Sequence, residues 1–181
     1  MKTIVFLADG FEECEALIVV DIMRRASIEV VMASITDQLE VHSSRNIIVK
    51  ADTLSENIDF SSVGLIVLPG GRRGVENLKK ASIVKEQCKR FAQDKLVAAI
   101  CAAPSILAEL GLLNGRRATC HPDYKKRMGG AILTDNQITI DGNLITGKGL
   151  GATFEFAFRL VSILKGETMS QQIRKEICSD D

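Results

Sequence analysis

Cys101 is the residue with the strongest chemical signature in this chain. It follows an apolar run, residues 96–100, without a spacer and is followed by Ala102, Ala103 and Pro104. A buried strand that runs straight into a cysteine and then into a helix has the layout of a nucleophile elbow, where a tight turn lifts the side chain above the sheet and small neighbours leave room for it. A thiol at a helix start also feels unpaired N–H groups and the positive end of the helix dipole. On that basis Cys101 is expected to titrate at about 5 to 6 against a reference of about 8.5. The same position also suits a small buried hydrophobe. Glu12, Glu13 and Glu15 lie near the start of the first helix, where carboxylates complement the dipole. Glu15 stands out by position, because its strand end can face Cys101, and a buried carboxyl there would stay protonated and donate to the sulfur. Gly70-Gly71, after Pro69, reads either as a plain turn or as a place where a backbone N–H approaches a substrate oxygen. His121, before Pro122-Asp123, is a candidate base or a capping histidine.

These residues fall at the ends of apolar segments. Residues 3–7, 29–35, 63–68 and 96–100 read as buried strands, with a polar hairpin around Val41 and residues 47–49 near a sheet edge. Shorter strands are expected at residues 117–120, 137–140 and 144–146, the last two joined by Asp141-Gly142. Helices are expected after the first strand, around residues 83–91, from Pro104 to residue 110, and over residues 154–164 and 169–177. In the first helix Leu17, Ile18 and Ile22 extend the apolar surface beyond one face, so it calls for cover by a second element or a second subunit. Alternating strands and helices make an α/β fold, a mainly parallel sheet with helices on both faces, in which function collects at the carboxyl ends of the strands.

Composition limits the partners. The chain has 181 residues with 46% hydrophobic and 25% charged, which supports one domain, residues 1–181, with its own core. Lys plus Arg and Asp plus Glu are both 23, so no bulk field draws it to nucleic acid or an anionic membrane. The longest apolar run, residues 96–103, is far short of the roughly 20 residues of a spanning helix, and no cleavage-type leader is evident, so the expectation is a cytoplasmic protein with no membrane partner. Five cysteines without a Cys-x-x-Cys pair point to free thiols. His42 and His121 are the two histidines, with no ligand spacing, so neither a metal nor a cofactor is expected. Walker and Gly-x-Ser-x-Gly motifs are missing.

Taken in order, Ala8-Asp9-Gly10-Phe11-Glu12-Glu13-Cys14-Glu15, Val67-Leu68-Pro69-Gly70-Gly71, Ala98-Ala99-Ile100-Cys101-Ala102-Ala103-Pro104, His121-Pro122 and Thr153-Phe154-Glu155-Phe156-Ala157 resemble the DJ-1/ThiJ/PfpI superfamily, most of all its DJ-1 and YajL branch. The resemblance covers nearly the whole chain. It implies a flavodoxin-like three-layer sandwich, a homodimer, a reactive Cys101 and a Glu15 carboxylic acid bonded to it. It also implies oxyanion contacts from the Gly71 and Ala102 N–H groups, a nearby His121, and a place for Arg25 and Arg45 near the dimer interface and the cysteine pocket. The peptidase branch has histidine after its cysteine where this chain has Ala102, which argues against proteolysis. Class I glutaminases use His-x-Glu, to which His121-Pro122-Asp123 is a poor match. The activity implied is cofactor-free glyoxalase or deglycase chemistry on methylglyoxal-type dicarbonyls or their early protein adducts. The alternative is a redox-sensing chaperone in which Cys101 is oxidised to sulfinate.

Overall fold

The computed structural model describes residues 1–179. Four apolar segments become adjacent parallel strands: β1 (Lys2–Leu7), β2 (Val30–Ser34), β6 (Val63–Leu68) and β7 (Leu96–Ile100). Between them in the chain lie the hairpin of β3 (Glu40–His42) and β4 (Ile48–Lys50), and the short β5 (Thr53–Leu54). Later come β8 (Arg117–Ala118), β9 (Ile132–Leu133), β10 (Ile138–Asp141) and β11 (Leu144–Gly147). The main sheet has seven strands in the order β10-β11-β7-β6-β1-β2-β5, with only the β10/β11 pair antiparallel. β3 with β4, and β8 with β9, form separate two-stranded sheets, so neither the expected polar hairpin nor the strand expected at residues 117–120 joins the main one. The hairpin packs its Val41–Val49 pair against one side of the core, while Ile47 and Ile48 stay exposed.

The helices are α1 (Glu13–Arg25), α2 (Arg72–Lys80), α3 (Ser82–Asp94), α4 (Pro104–Glu109), α5 (Thr153–Lys165) and α6 (Glu167–Glu176). Strand side chains alternate between two cores, which is why the strands read as continuous apolar runs. Ile4, Phe6, Ile66, Leu68, Val97 and Ala99 face Leu78 of α2, Phe91 of α3 and Leu107 of α4. Val5, Leu7, Leu65, Val67, Ala98 and Ile100 face Val19 and Met23 of α1 and Phe156 and Leu160 of α5. The result is the three-layer, flavodoxin-like α/β sandwich. The second cover of α1 within the chain is α5, which accounts for the burial of Ile22, while Leu17 and Ile18 stay only partly covered.

Candidate active site

The carboxyl ends of β1, β6 and β7 meet above the sheet, and three loops there build the site. Cys101 leaves β7 with φ 65°, a left-handed conformation that a non-glycine residue rarely adopts and that costs about 1–3 kcal/mol. The surrounding chain holds it there. Cys101 N–H donates to Gly147 O at 2.9 Å, and Cys101 O accepts the His121 N–H at 2.8 Å. The strand-to-helix elbow read from the sequence is therefore present as a strained backbone, with the thiol partly exposed.

Glu15, fully buried in the first turn of α1, hydrogen-bonds the Cys101 thiol. Burial is the largest influence on its carboxyl and pushes it from 4.5 up to about 7, against the lowering effect of the bonds from Cys101 and the Gly70 N–H. Gly70 N–H donates to Glu15 Oε2 at 2.8 Å, so it fixes the acid and is not free for a substrate oxygen. A side chain on Gly70 would also put its Cβ 2.7 Å from Cys101 Cβ and 3.2 Å from Sγ, and against Glu15 Oε2. The donors aimed at the sulfur are the backbone N–H groups of Ala102 and Gly71. Gly71 reaches that place with φ 93°, and a Cβ there would lie 2.7 Å from Glu12 N. Glu15 Oε1 is buried without a hydrogen-bond partner.

The thiol does not titrate as the sequence suggested. Burial first, then the charge and hydrogen bond of Glu15, push Cys101 up to about 12, and the Ala102 and Gly71 N–H groups pull it down only in part. α4 begins at Pro104, as its proline suggested, three residues beyond Cys101 and with only 6 residues, so the positive end of its dipole does not offset burial and Glu15. With Glu15 near 7 and Cys101 far above it, the first proton lost from the pair is the carboxyl's. Once ionised, the Glu15 carboxylate is the acceptor placed nearest the thiol proton.

His121 lies beside the cysteine, and its Nδ1 accepts the Asp123 N–H at 3.3 Å. It is thus both cap and wall. That bond places the neutral ring's proton on Nε2, making the free nitrogen a donor instead of a base. Arg45, in the β3–β4 turn, lines the site, whereas Arg25 ends α1 about 15 Å along the helix from Glu15 and pairs with Asp21 and Glu176 at 2.8 Å each. Cys101 opens onto a groove of about 740 Å³ and adjoins a second cavity of about 400 Å³, both bounded by Arg45 and His121. Two groove residues, Arg72 and Arg73, escaped the sequence reading because α2 itself did. Val75 and Leu78 are the only large apolar residues in its Arg-Arg-Gly-Val-Glu-Asn-Leu-Lys-Lys sequence, too few for a helical period to register.

Among the described residues no cluster of metal-ligating side chains occurs, and no helix is long and apolar enough to cross a membrane.

The family model described as the DJ-1/PfpI family matches residues 1–163. The Danio rerio Parkinson disease protein 7 homolog is 35% identical over 185 residues, covering 99% of this chain and 98% of that one. The Caenorhabditis elegans glutathione-independent glyoxalase DJR-1.2 is 30% identical, covering 92% and 90%. Arabidopsis thaliana protein DJ-1 homolog B is 35% identical, and the match spans 95% of this chain but only 40% of that protein. In solved structures, Drosophila melanogaster DJ-1beta superimposes with a TM-score of 0.94 at 33% identity over 98% of this chain and 97% of the other.

Proposed function

Starting from a chain that belongs to the DJ-1/PfpI family, we propose that it is a cysteine-dependent, cofactor-free glyoxalase that converts methylglyoxal-type dicarbonyls to hydroxy acids. The observation that carries this is the pairing of a strained, partly exposed Cys101 with a buried Glu15 whose carboxyl sits at about 7. A group poised near neutrality can take and return a proton in one turnover.

Ionised Glu15 accepts the thiol proton as Cys101 Sγ adds to the aldehyde carbon. The carbonyl oxygen becomes an oxyanion beside the Gly71 and Ala102 N–H groups, then takes the Glu15 proton to give a hemithioacetal. Glu15 carboxylate next removes the hydrogen of that carbon as a proton and delivers it to the neighbouring ketone carbon, while the hemithioacetal O–H proton passes to the ketone oxygen. The first carbon is oxidised and the second reduced, leaving a thioester on Cys101. Water hydrolyses it to lactate and frees the thiol. His121 serves as a donor to substrate oxygen. On an adduct of a protein thiol or amine, the C–S or C–N bond first breaks as the adduct hydroxyl loses its proton to the departing sulfur or nitrogen, and the freed aldehyde then follows the same sequence; that would be deglycase chemistry.

The test is lactate production from methylglyoxal without glutathione. The wild type turns over, Cys101→Ser falls to background and Glu15→Gln loses most of the activity; equal activity in Cys101→Ser would overturn the proposal. A second reading, a redox-sensing chaperone, draws on the exposure of Cys101 and the same two N–H donors, which suit a sulfinate oxygen. Both readings include a homodimer formed through the partly covered Leu17 and Ile18 face of α1.

A further inference from the structure

The 740 Å³ groove is far larger than a three-carbon dicarbonyl requires; volumes of several hundred Å³ suit ligands with many more atoms. Its wall opposite the β3–β4 turn is the start of α2, where Arg72 and Arg73 are exposed to the groove. Neither makes a hydrogen bond or an ion pair with any described residue. The carboxylate that would neutralise them along the helix is Glu76, at i+4 from Arg72 and i+3 from Arg73. It is committed elsewhere: Glu76 Oε1 lies 3.0 Å from Arg127 Nη1 and 3.9 Å from Lys79 Nζ.

Two of the groove's own carboxylates are engaged too. Asp9 Oδ1 accepts the His42 N–H at 2.9 Å and Glu12 Oε2 accepts the Ser44 hydroxyl at 2.9 Å, whereas Asp123 is exposed, its Oδ2 3.8 Å from the acceptor nitrogen His121 Nδ1. No acidic residue occupies the first turn of α2, whose N-terminal end adds further positive charge to that of the two guanidinium groups. Arg45, on the β3–β4 turn, bonds its neighbour Ser44 through Nη1, and its charge also acts on Glu13.

We infer that Arg72 and Arg73 form an oxyanion subsite beside Cys101, and that the substrate is a dicarbonyl or dicarbonyl adduct carrying a phosphate or carboxylate group. Guanidinium forks bind such groups bidentately, which would set the reactive carbonyl over the sulfur and give the groove's length a use. The proposal rests on the glyoxalase reading for its turnover but not for its binding site.

The experiment has two arms. In the first, kcat/KM is compared for methylglyoxal, hydroxypyruvaldehyde phosphate and the carboxylate-bearing dioxovalerate, in the wild type and in Arg72→Gln/Arg73→Gln. The wild type should prefer at least one anionic substrate by about tenfold or more, chiefly through KM, and the variant should lose that preference. Whichever anion gains more identifies the group. In the second arm, glycerol phosphate, but not glycerol, should slow alkylation of Cys101 by iodoacetamide in the wild type and not in the variant. No preference in the first arm with no protection in the second overturns the subsite, even if methylglyoxal is turned over. Protection without turnover of any substrate leaves the subsite standing and removes the glyoxalase reading.

Discussion

Replacing Glu15 with glutamine should make the protein more stable at alkaline pH while disabling it. Glu15 titrates at 4.5 when unperturbed and at about 7 in the fold, because burial disfavours its charge. A carboxyl whose folded value is raised favours the folded state fully below pH 4.5, and that contribution is lost as pH rises to 7 and beyond. Between pH 5 and pH 8 the wild type should therefore lose about 2–3 kcal/mol at this one group. Glutamine keeps an oxygen for the Gly70 N–H, gains an N–H for the cysteine sulfur, and never ionises. For a domain of this size 1 kcal/mol shifts the melting temperature by about 2–4 °C, so the difference in Tm between Glu15→Gln and wild type should grow by about 5–10 °C from pH 5 to pH 8. Thermal unfolding at fixed protein concentration measures it, since titrations not coupled to Glu15 cancel in the difference, and Cys101, the thiol coupled to it, stays mostly protonated up to pH 8 in the wild type. Parallel curves for the two proteins would refute the argument that Glu15 is held near neutrality by burial.

Gly70→Ala should lower glyoxalase turnover about a hundredfold and cost about 1–3 kcal/mol in urea unfolding, because the new methyl would collide with Cys101 and Glu15; wild-type activity would show that the loop yields freely. Mild peroxide should give a sulfinate at Cys101 before Cys88 or Cys120 by site-resolved mass spectrometry. Burial pushes all three thiols up, so the order rests on access and on the backbone N–H donors: Cys101 is partly exposed with two donors at its sulfur, and Cys88 and Cys120 are buried; earlier oxidation of either would break the link between the two N–H donors and reactivity. Light scattering at micromolar concentration should give a dimer mass for the wild type and a monomer for Leu17→Arg/Ile18→Arg, and a monomeric wild type would rule out the α1 face as an interface.

How much of this could be read from the sequence differs by element. The strands that build the sheet were legible because each is buried on both faces, leaving an unbroken apolar run that ends at a chemically distinct residue. The elbow followed from the same logic, since residues 96–100 run directly into Cys101. α2 was not legible: its stability comes from Val75 and Leu78 docking into the core and from Gly74 fitting 2.6 Å from Phe11 Cα by the measure of an added Cβ, contacts that leave no periodic trace. The placement of Glu15 against Cys101, 86 positions apart, was suggested by the two strand ends that could face each other, and the family resemblance singled out Glu15 as the acid bonded to the sulfur. The thiol's titration was misjudged for a physical reason. The start of the helix at Pro104 was read from the proline, but the depth of burial and the facing charge of Glu15, which outweigh the two N–H donors, cannot be read from residue types.

Turnover as proposed passes through a covalent bond between Cys101 and substrate. Acid-quenching the protein during incubation with methylglyoxal and mapping the adduct by peptide mass spectrometry tests it most directly. A species heavier by one methylglyoxal is expected on the Cys101 peptide, appearing and decaying with lactate formation and missing from Cys101→Ser. Lactate formed at the wild-type rate with adducts only on arginine or lysine side chains would contradict it.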